Sequence, residues 1–121
     1  MLYSDSEFLI VLQQAVVSKF RDSNASVDTI CKHIYLSRSQ VHRRVKAITG
    51  LSTTLYIRKV KLEIAKNMLS EDSITIKEIA INVGIRNPQN FSKYFKKAYG
   101  VCPSRFRTLY KSSLDFSMTP L

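Results

Sequence analysis

Basic side chains are the residues of this chain with the most evident capacity for chemistry, and they are concentrated in two stretches. Residues 37–61 and residues 84–111 each hold seven Lys and Arg and no Asp or Glu, in a chain of 121 residues whose net charge is +10. An excess of positive charge can simply keep a protein in solution. Two separate acid-free stretches instead favour contact with a polyanion at two places.

The other reactive side chains predict neither catalysis nor metal binding. Cys31 and Cys102 form no C-x-x-C motif, and His33 and His42 have no further ligands at metal-binding spacing. The sequence also has no paired carboxylates, nucleophile elbow or phosphate-binding loop. We therefore expect a protein that is not an enzyme, that uses no metal and no cofactor, and whose two thiols are structural and slow to react.

The composition indicates a helical globular protein. Hydrophobic residues make up 45% of the chain, and only three Gly and three Pro are present, which argues against a turn-rich β protein. No apolar run is long enough for a transmembrane helix, and the first residues lack the basic and apolar regions of a secretory signal. These features predict a cytoplasmic protein with no membrane partner.

The sequence contains an internal repeat. Residues of the first half match residues 49 positions later, and after one additional residue, Arg86, the match continues at 50 positions. The matched pairs are Ile30 and Ile79, Cys31 and Ala80, Ile34 and Val83, Leu36 and Ile85, Val41 and Phe91, Arg43 and Lys93, Val45 and Phe95, Lys46 and Lys96, and Gly50 and Gly100. Because apolar positions, basic positions and glycines match together, the repeat predicts two copies of one structural unit.

Each copy has the pattern of two helices joined by a tight turn. Four residues with good N-cap side chains precede the predicted helices: Ser26, Ser37, Thr75 and Asn87. The second helix of each copy is expected to bury three apolar residues, Val41, Val45 and Ile48 or Phe91, Phe95 and Ala98. Two helices, a short turn and a basic exposed face are typical of a helix-turn-helix.

The turns of the two copies differ at one position. Gly84 suits the left-handed conformation that commonly follows a helix, because it has no Cβ. Tyr35 occupies the matching position in the first copy. We therefore expect Tyr35 to be strained.

These elements predict an all-α fold: a seven-helix bundle of two helix-turn-helix subdomains joined by a long connector helix. The predicted boundaries are 5–51 for the first subdomain, 52–71 for the connector helix, 72–111 for the second subdomain and 112–121 for a frayed tail. A connector helix of about 18 residues spans roughly 27 Å. Successive major grooves on one face of B-DNA lie about 34 Å apart, so one chain could hold two helices in neighbouring grooves.

Specific motifs then point to a known family. The first copy carries LSRSQVHRRVK at 36–46, GLS at 50–52 and YIR at 56–58, and the second carries NFSKYFKK at 90–97, PS at 103–104 and FR at 106–107. Over roughly residues 7–111 the chain resembles the DNA-binding domain of AraC/XylS-type regulators. It departs from their pattern at Thr53, where Pro is usual, and at Cys102, where Ser is usual. The first helix is also similar to the one that follows the receiver domain in hybrid two-component regulators.

The resemblance implies a function and a set of contacts. It implies a sequence-specific, double-stranded DNA-binding transcription regulator that inserts helices 37–49 and 87–99 into adjacent major grooves of a promoter. The expected base-reading residues are Ser39, Gln40, Arg43, Gln89, Asn90 and Lys93. The expected DNA-backbone contacts are Ser37, Arg38, Arg44, Lys46, Arg86, Asn87, Lys96 and Lys97. Further partners expected from the resemblance are RNA polymerase and a sensor or receiver domain on a longer chain.

An alternative of another class remains open from the sequence. A basic helical module could bind RNA, an acidic protein or an anionic membrane with the same positive stretches. Readers of single-stranded RNA usually expose aromatic side chains. Phe91, Tyr94, Phe95 and Tyr99 have helical core spacing instead, so we expect them inside the protein.

Overall fold

The described part of the chain is entirely helical between its turns. The computed structural model describes residues 3–19, 27–71 and 73–118. Seven helices lie in these ranges: α1 (Asp5–Lys19), α2 (Val27–Ile34), α3 (Arg38–Thr49), α4 (Thr53–Met68), α5 (Ile76–Asn82), α6 (Pro88–Tyr99) and α7 (Pro103–Met118). The all-α prediction is confirmed. None of the helices in these ranges combines the length and the apolar character that crossing a membrane would require.

The chain divides into two compact units, Met1–Lys61 and Leu62–Leu121, and the division falls within α4. In the first unit, α1 packs against α2 and α3. Its core holds Phe8 and Leu12 of α1, Ile34 of α2, and Val41 and Val45 of α3, all at most 2% exposed. Apolar residues three, four or seven apart lie on one side of each helix, so each helix buries one face and leaves the other to solvent.

The second unit is built on the same plan, with aromatic residues in place of the valines. Ile79, Val83, Phe91 and Phe95 are fully buried. The ring of Phe95 lies 5.9 Å from that of Phe91, 4.7 Å from that of Tyr99 and 5.6 Å from that of Phe106. Of the predicted aromatic stripe, Phe91 and Phe95 are therefore core, whereas Tyr94 and Tyr99 are half-buried.

The helix ends follow the expected capping chemistry. Ser37, Thr75 and Asn87 each accept a hydrogen bond from an amide of the following turn, and Gly50 and Gly100 end α3 and α6 in the left-handed conformation. Ser52 accepts a bond from the amide of Leu55 at the start of α4. The predicted cap Ser26 lies outside the described residues.

Three details differ from the sequence predictions. Ile48, which was expected to be buried, is only half-buried. Ala98 is exposed, because the half-buried ring of Tyr99 packs against Phe95 instead. The frayed tail was predicted to begin at residue 112, yet α7 continues to Met118, since residues 104–119 contain no Gly or Pro that would stop a helix.

Candidate nucleic-acid interface

The exposed face of α3 brings together the three residues predicted to read bases in the first unit. Burial of Val41 and Val45 turns Ser39, Gln40 and Arg43 outward, and all three are exposed. Residues three and four positions apart are neighbours on a helix surface, so these side chains form one patch. Arg43 makes no hydrogen bond or ion pair with any residue that the structure describes. Its five donors are therefore available to a ligand.

Gln40 is already engaged at the start of the same helix. Its backbone amide donates a hydrogen bond of 3.1 Å to the Ser37 hydroxyl, and its side-chain oxygen accepts one of 2.9 Å from the amide of Ser37. This capping box satisfies two backbone donors that a helix start leaves open. The side-chain NH₂ of Gln40 stays free to donate, and its oxygen keeps one lone pair beyond the bond from Ser37.

Two arginines of α3 are paired with carboxylates. Arg38 is 3.1 Å from Asp28 of α2, and both side chains are more than half exposed. Arg44 is 2.9 Å from Asp5 of α1, its guanidinium lies 4.6 Å from the centre of the Phe8 ring, and its side chain is only 11% exposed. The positive charge predicted from the sequence is thus partly compensated on this helix, and Arg44 is held against α1.

Two further α3 side chains bond within the unit. Lys46 donates to the carbonyl of Gly50 over 2.9 Å, at the end of the helix, while the side chain stays exposed. Nδ1 of His42 lies 2.6 Å from the hydroxyl of Thr53, which is 1% exposed. His42 itself is half-buried. The buried hydroxyl explains this, because Thr53 needs a hydrogen-bond partner where a proline would need none.

α6 presents the corresponding patch of the second unit. Pro88 occupies the first turn, and the Asn87 side chain accepts bonds from the amides of Gln89 and Asn90, at 2.9 and 3.2 Å. This single cap leaves the side chains of Gln89, Asn90 and Lys93 exposed and without hydrogen bonds to the described residues. The amide groups of this patch can therefore both donate and accept.

The remaining predicted backbone contacts of the second unit are solvent-facing. Lys96 and Lys97 are exposed in the last turns of α6 and form no ion pair with the residues that the structure describes. Arg86 is exposed in the turn before α6. Lys96 and Lys97 thus leave uncompensated charge on α6, whereas Asp28 and Asp5 oppose two arginines of α3.

Arg107 has a role that the sequence analysis did not identify. It belongs to the second basic stretch, but its guanidinium donates to the carbonyls of Leu69, Glu71 and Ile74, at 3.1, 2.9 and 2.6 Å. These carbonyls lie at and after the end of α4, where a helix leaves acceptors unsatisfied. Arg107 is thus a structural residue, and only its partial match to the family motif marked it as more than surface charge.

The two thiols differ. Cys31 is buried, and burial together with the nearby carboxylate of Asp28 raises its pKa. The Ser104 hydroxyl, 3.4 Å from Sγ of Cys102, and the Arg105 amide stabilise the thiolate and lower the pKa of Cys102. The expectation that both thiols are slow to react stays a prediction, and the lowered pKa of Cys102 argues against it for that residue. The described residues bring no three His, Cys, Asp or Glu side chains together in an arrangement suited to a metal ion.

The chain is similar to known regulators over most of its length. A family model described as a helix-turn-helix domain matches residues 30–109. The bifunctional transcriptional activator/DNA repair enzyme AdaA of Bacillus subtilis is 32% identical over 107 residues, which cover 88% of this chain and 50% of AdaA. The arabinose operon regulatory protein of Escherichia coli is 30% identical over 94 residues, which cover 78% of this chain and 32% of that protein.

A solved structure supports the same likeness. The C-terminal domain of AraT, a response regulator from Geobacillus stearothermophilus, is 27% identical and superposes with a TM-score of 0.72 over 84% of each chain. The chain spans half of the first curated relative and about a third of the second.

Proposed function

The chain belongs to the AraC/XylS family of helix-turn-helix domains, and from this premise we propose that it is the double-stranded DNA-binding part of a transcription regulator. The observation that carries the proposal is the pair of equivalent patches on α3 and α6. Each patch has one basic residue, Arg43 on α3 or Lys93 on α6, that has no partner among the described residues. Amide side chains lie beside it, and the opposite face of the helix is buried in the core. Such a helix can enter a major groove without losing the packing that holds it.

The chemistry of the two patches fits base edges. Arg43 can donate two hydrogen bonds to O6 and N7 of guanine, and Lys93 can donate to the same atoms. Gln89 and Asn90 can donate to and accept from adenine. Because Gln40 already accepts a bond within its capping box, we assign base reading in the first unit mainly to Arg43, with Ser39 and the Gln40 NH₂ as additional donors.

The DNA backbone would be held by the surrounding groups. Lys96, Lys97 and Arg86 are exposed beside α6, and Ser37 and Asn87 lie at helix starts where backbone amides favour phosphate. Arg38 and Lys46 are exposed and could turn to phosphate. Arg44 would contact phosphate only by leaving Asp5 and Phe8, so we propose that its main contribution is to hold α3 against α1.

We further propose that the two helices occupy successive major grooves of one site of about 20 base pairs. The full regulator would also carry a sensor or receiver domain, as the greater length of the relatives suggests. As a transcription regulator it would act on RNA polymerase. A module for RNA or for an anionic membrane is less well supported. Phe91 and Phe95 of α6 are fully buried and cannot stack on bases.

The test is selection of bound duplexes from a random DNA pool, followed by affinity measurements on the selected site. We expect two unlike sequence elements about one helical turn apart. Arg43→Ala should weaken binding by about 1–3 kcal/mol and relax the preference at one element. Lys32→Ala removes the same charge from the exposed side of α2 and serves as the matched control. A pool without enriched sequences, or easy displacement of the duplex by structured RNA or anionic vesicles, would contradict the proposal.

A further inference from the structure

The turn between α2 and α3 contains a strained residue. In the first unit the amides of Tyr35 and Leu36 bond to the carbonyls of Lys32 and Cys31, at 3.3 and 3.1 Å. In the second unit the amides of Gly84 and Ile85 make the same bonds to Ile81 and Ala80, at 3.0 and 2.9 Å. Both turns therefore need a left-handed residue at the same position. Gly84 adopts the left-handed conformation with φ 78°, and Tyr35 adopts the same conformation with φ 61°.

Nothing in the described fold compensates for the strain at Tyr35. A residue with a Cβ is disfavoured in the left-handed region, and glycine at the matching position shows that the turn does not need a side chain. The ring of Tyr35 is 87% exposed, so it gains no packing. Its hydroxyl makes no hydrogen bond to any residue in the ranges that the structure covers. Residues held in disfavoured conformations without local benefit are concentrated at binding sites.

The position of Tyr35 indicates what it would bind. It lies two residues before Ser37, the N-cap of α3, and two residues of chain span at most about 7 Å. The first-turn amides of α3, together with Arg38, form a place where an anion is favoured. A tyrosine hydroxyl is one of the neutral side-chain groups that hydrogen-bond to DNA phosphates.

We propose that Tyr35 is a DNA-contacting residue whose hydroxyl donates a hydrogen bond to a backbone phosphate beside the groove that α3 enters. This inference rests on the proposed function. The left-handed turn holds the ring away from the core, where its hydroxyl is available to the duplex. The first unit, in which two arginines face carboxylates, gains a neutral phosphate contact in this way, whereas the second unit has uncompensated lysines and a glycine.

The experiment compares Tyr35→Phe and Tyr35→Gly with the unchanged chain on the selected duplex and on a scrambled one. Tyr35→Phe keeps the ring and the strain but removes the donor, so affinity should fall about five- to tenfold on both duplexes. Because no charge is lost, the slope of log affinity against log salt should stay unchanged. Tyr35→Gly should bind as weakly as Tyr35→Phe and yet unfold at a higher denaturant concentration, because the strain is relieved.

Tyr110→Phe removes a hydroxyl from a partly exposed tyrosine of α7 and is the matched control. Unchanged affinity in Tyr35→Phe, while Arg43→Ala still loses sequence preference, would overturn the phosphate contact and leave the proposed function standing. If the unchanged chain shows no preference for any duplex, the proposed function fails and this inference fails with it.

Discussion

At the scale of single residues, the interface is defined as much by the acids that oppose its arginines as by the arginines themselves. Arg38 and Arg44 both belong to the first basic stretch, but Asp28 and Asp5 lie within 3.1 and 2.9 Å of them. Arg43 on the same helix has no such partner among the described residues. Net charge along the sequence therefore overstates the positive surface that the first unit offers to a polyanion.

Removing the acid that faces Arg38 should strengthen DNA binding. In Asp28→Asn the Arg38 guanidinium loses an exposed ion pair of small stability and becomes available to phosphate. We expect an affinity gain of roughly two- to fivefold in low salt, which is lost as salt screens the interaction. Fluorescence anisotropy at several salt concentrations measures it. Glu78→Gln, which removes one exposed acid from α5, is the control, and an equal gain there would show that only net charge matters.

The two thiols should separate by reactivity and by its dependence on pH. The hydroxyl of Ser104 and the amide of Arg105 lower the pKa of Cys102, so its thiolate forms, and alkylates, at a lower pH than an ordinary thiol. Burial raises the pKa of Cys31 and blocks access to it. Alkylation followed by peptide mass spectrometry across pH gives both rates. Ser104→Ala should move the Cys102 profile to higher pH, and an unmoved profile would contradict the assignment.

At the scale of helices, some basic residues join elements within a unit. The guanidinium of Arg107, on α7, binds three carbonyls at and after the end of α4. The Lys66 ammonium also lies 5.1 Å from the centre of the Tyr99 ring, which links α4 to α6. Positive charge in the second unit thus has two roles, the DNA contact that we propose for α6 and the attachment of α4 within the unit.

Truncating Arg107 should therefore reduce stability. Arg107→Ala leaves three carbonyls without their charged donor, and we expect the free energy of unfolding to fall by about 2–3 kcal/mol. Urea denaturation followed by circular dichroism measures the change. Arg105→Ala removes the same charge from an exposed position on the same helix and should have little effect. Equal stability of the two variants would show that the carbonyl bonds contribute nothing.

At the scale of the whole molecule, the presence of two similar units predicts how much of the DNA-binding energy each half of the DNA site contributes. Each phosphate neutralised contributes about 0.9 to the slope of log affinity against log salt, so two bound units should give a steep slope. Replacing either sequence element of the selected site by a scrambled one should remove about half of the specific binding energy and retain contact by the other unit. Titration of the three duplexes at several salt concentrations tests this. Full affinity for a single element would mean that only one unit reads DNA.

Much of the candidate site could be predicted because the signals that form its helices are local in the sequence. Helix starts at Ser37, Thr75 and Asn87, helix ends at Gly50 and Gly100, and the buried stripes of α3 and α6 depend on residues at most four positions apart. Such signals are present in the sequence itself. The exposure of Arg43, Asn90 and Lys93 followed from them, because the side of a helix opposite a buried stripe faces solvent.

By itself the sequence determined that the chain contains two copies of one unit and where most of their helices lie. It also determined that the turn before α3 is strained at Tyr35 and which helix faces carry the candidate base-reading residues. The tertiary structure alone decided which basic residues are available to DNA, since Arg44 meets Asp5 from 39 positions away and Arg107 meets carbonyls 33 to 38 positions away. It also turned His42 inward to the hydroxyl of Thr53. The physical reason is that capping and amphipathicity are local, whereas an ion pair or a satisfied carbonyl depends on which helices pack together.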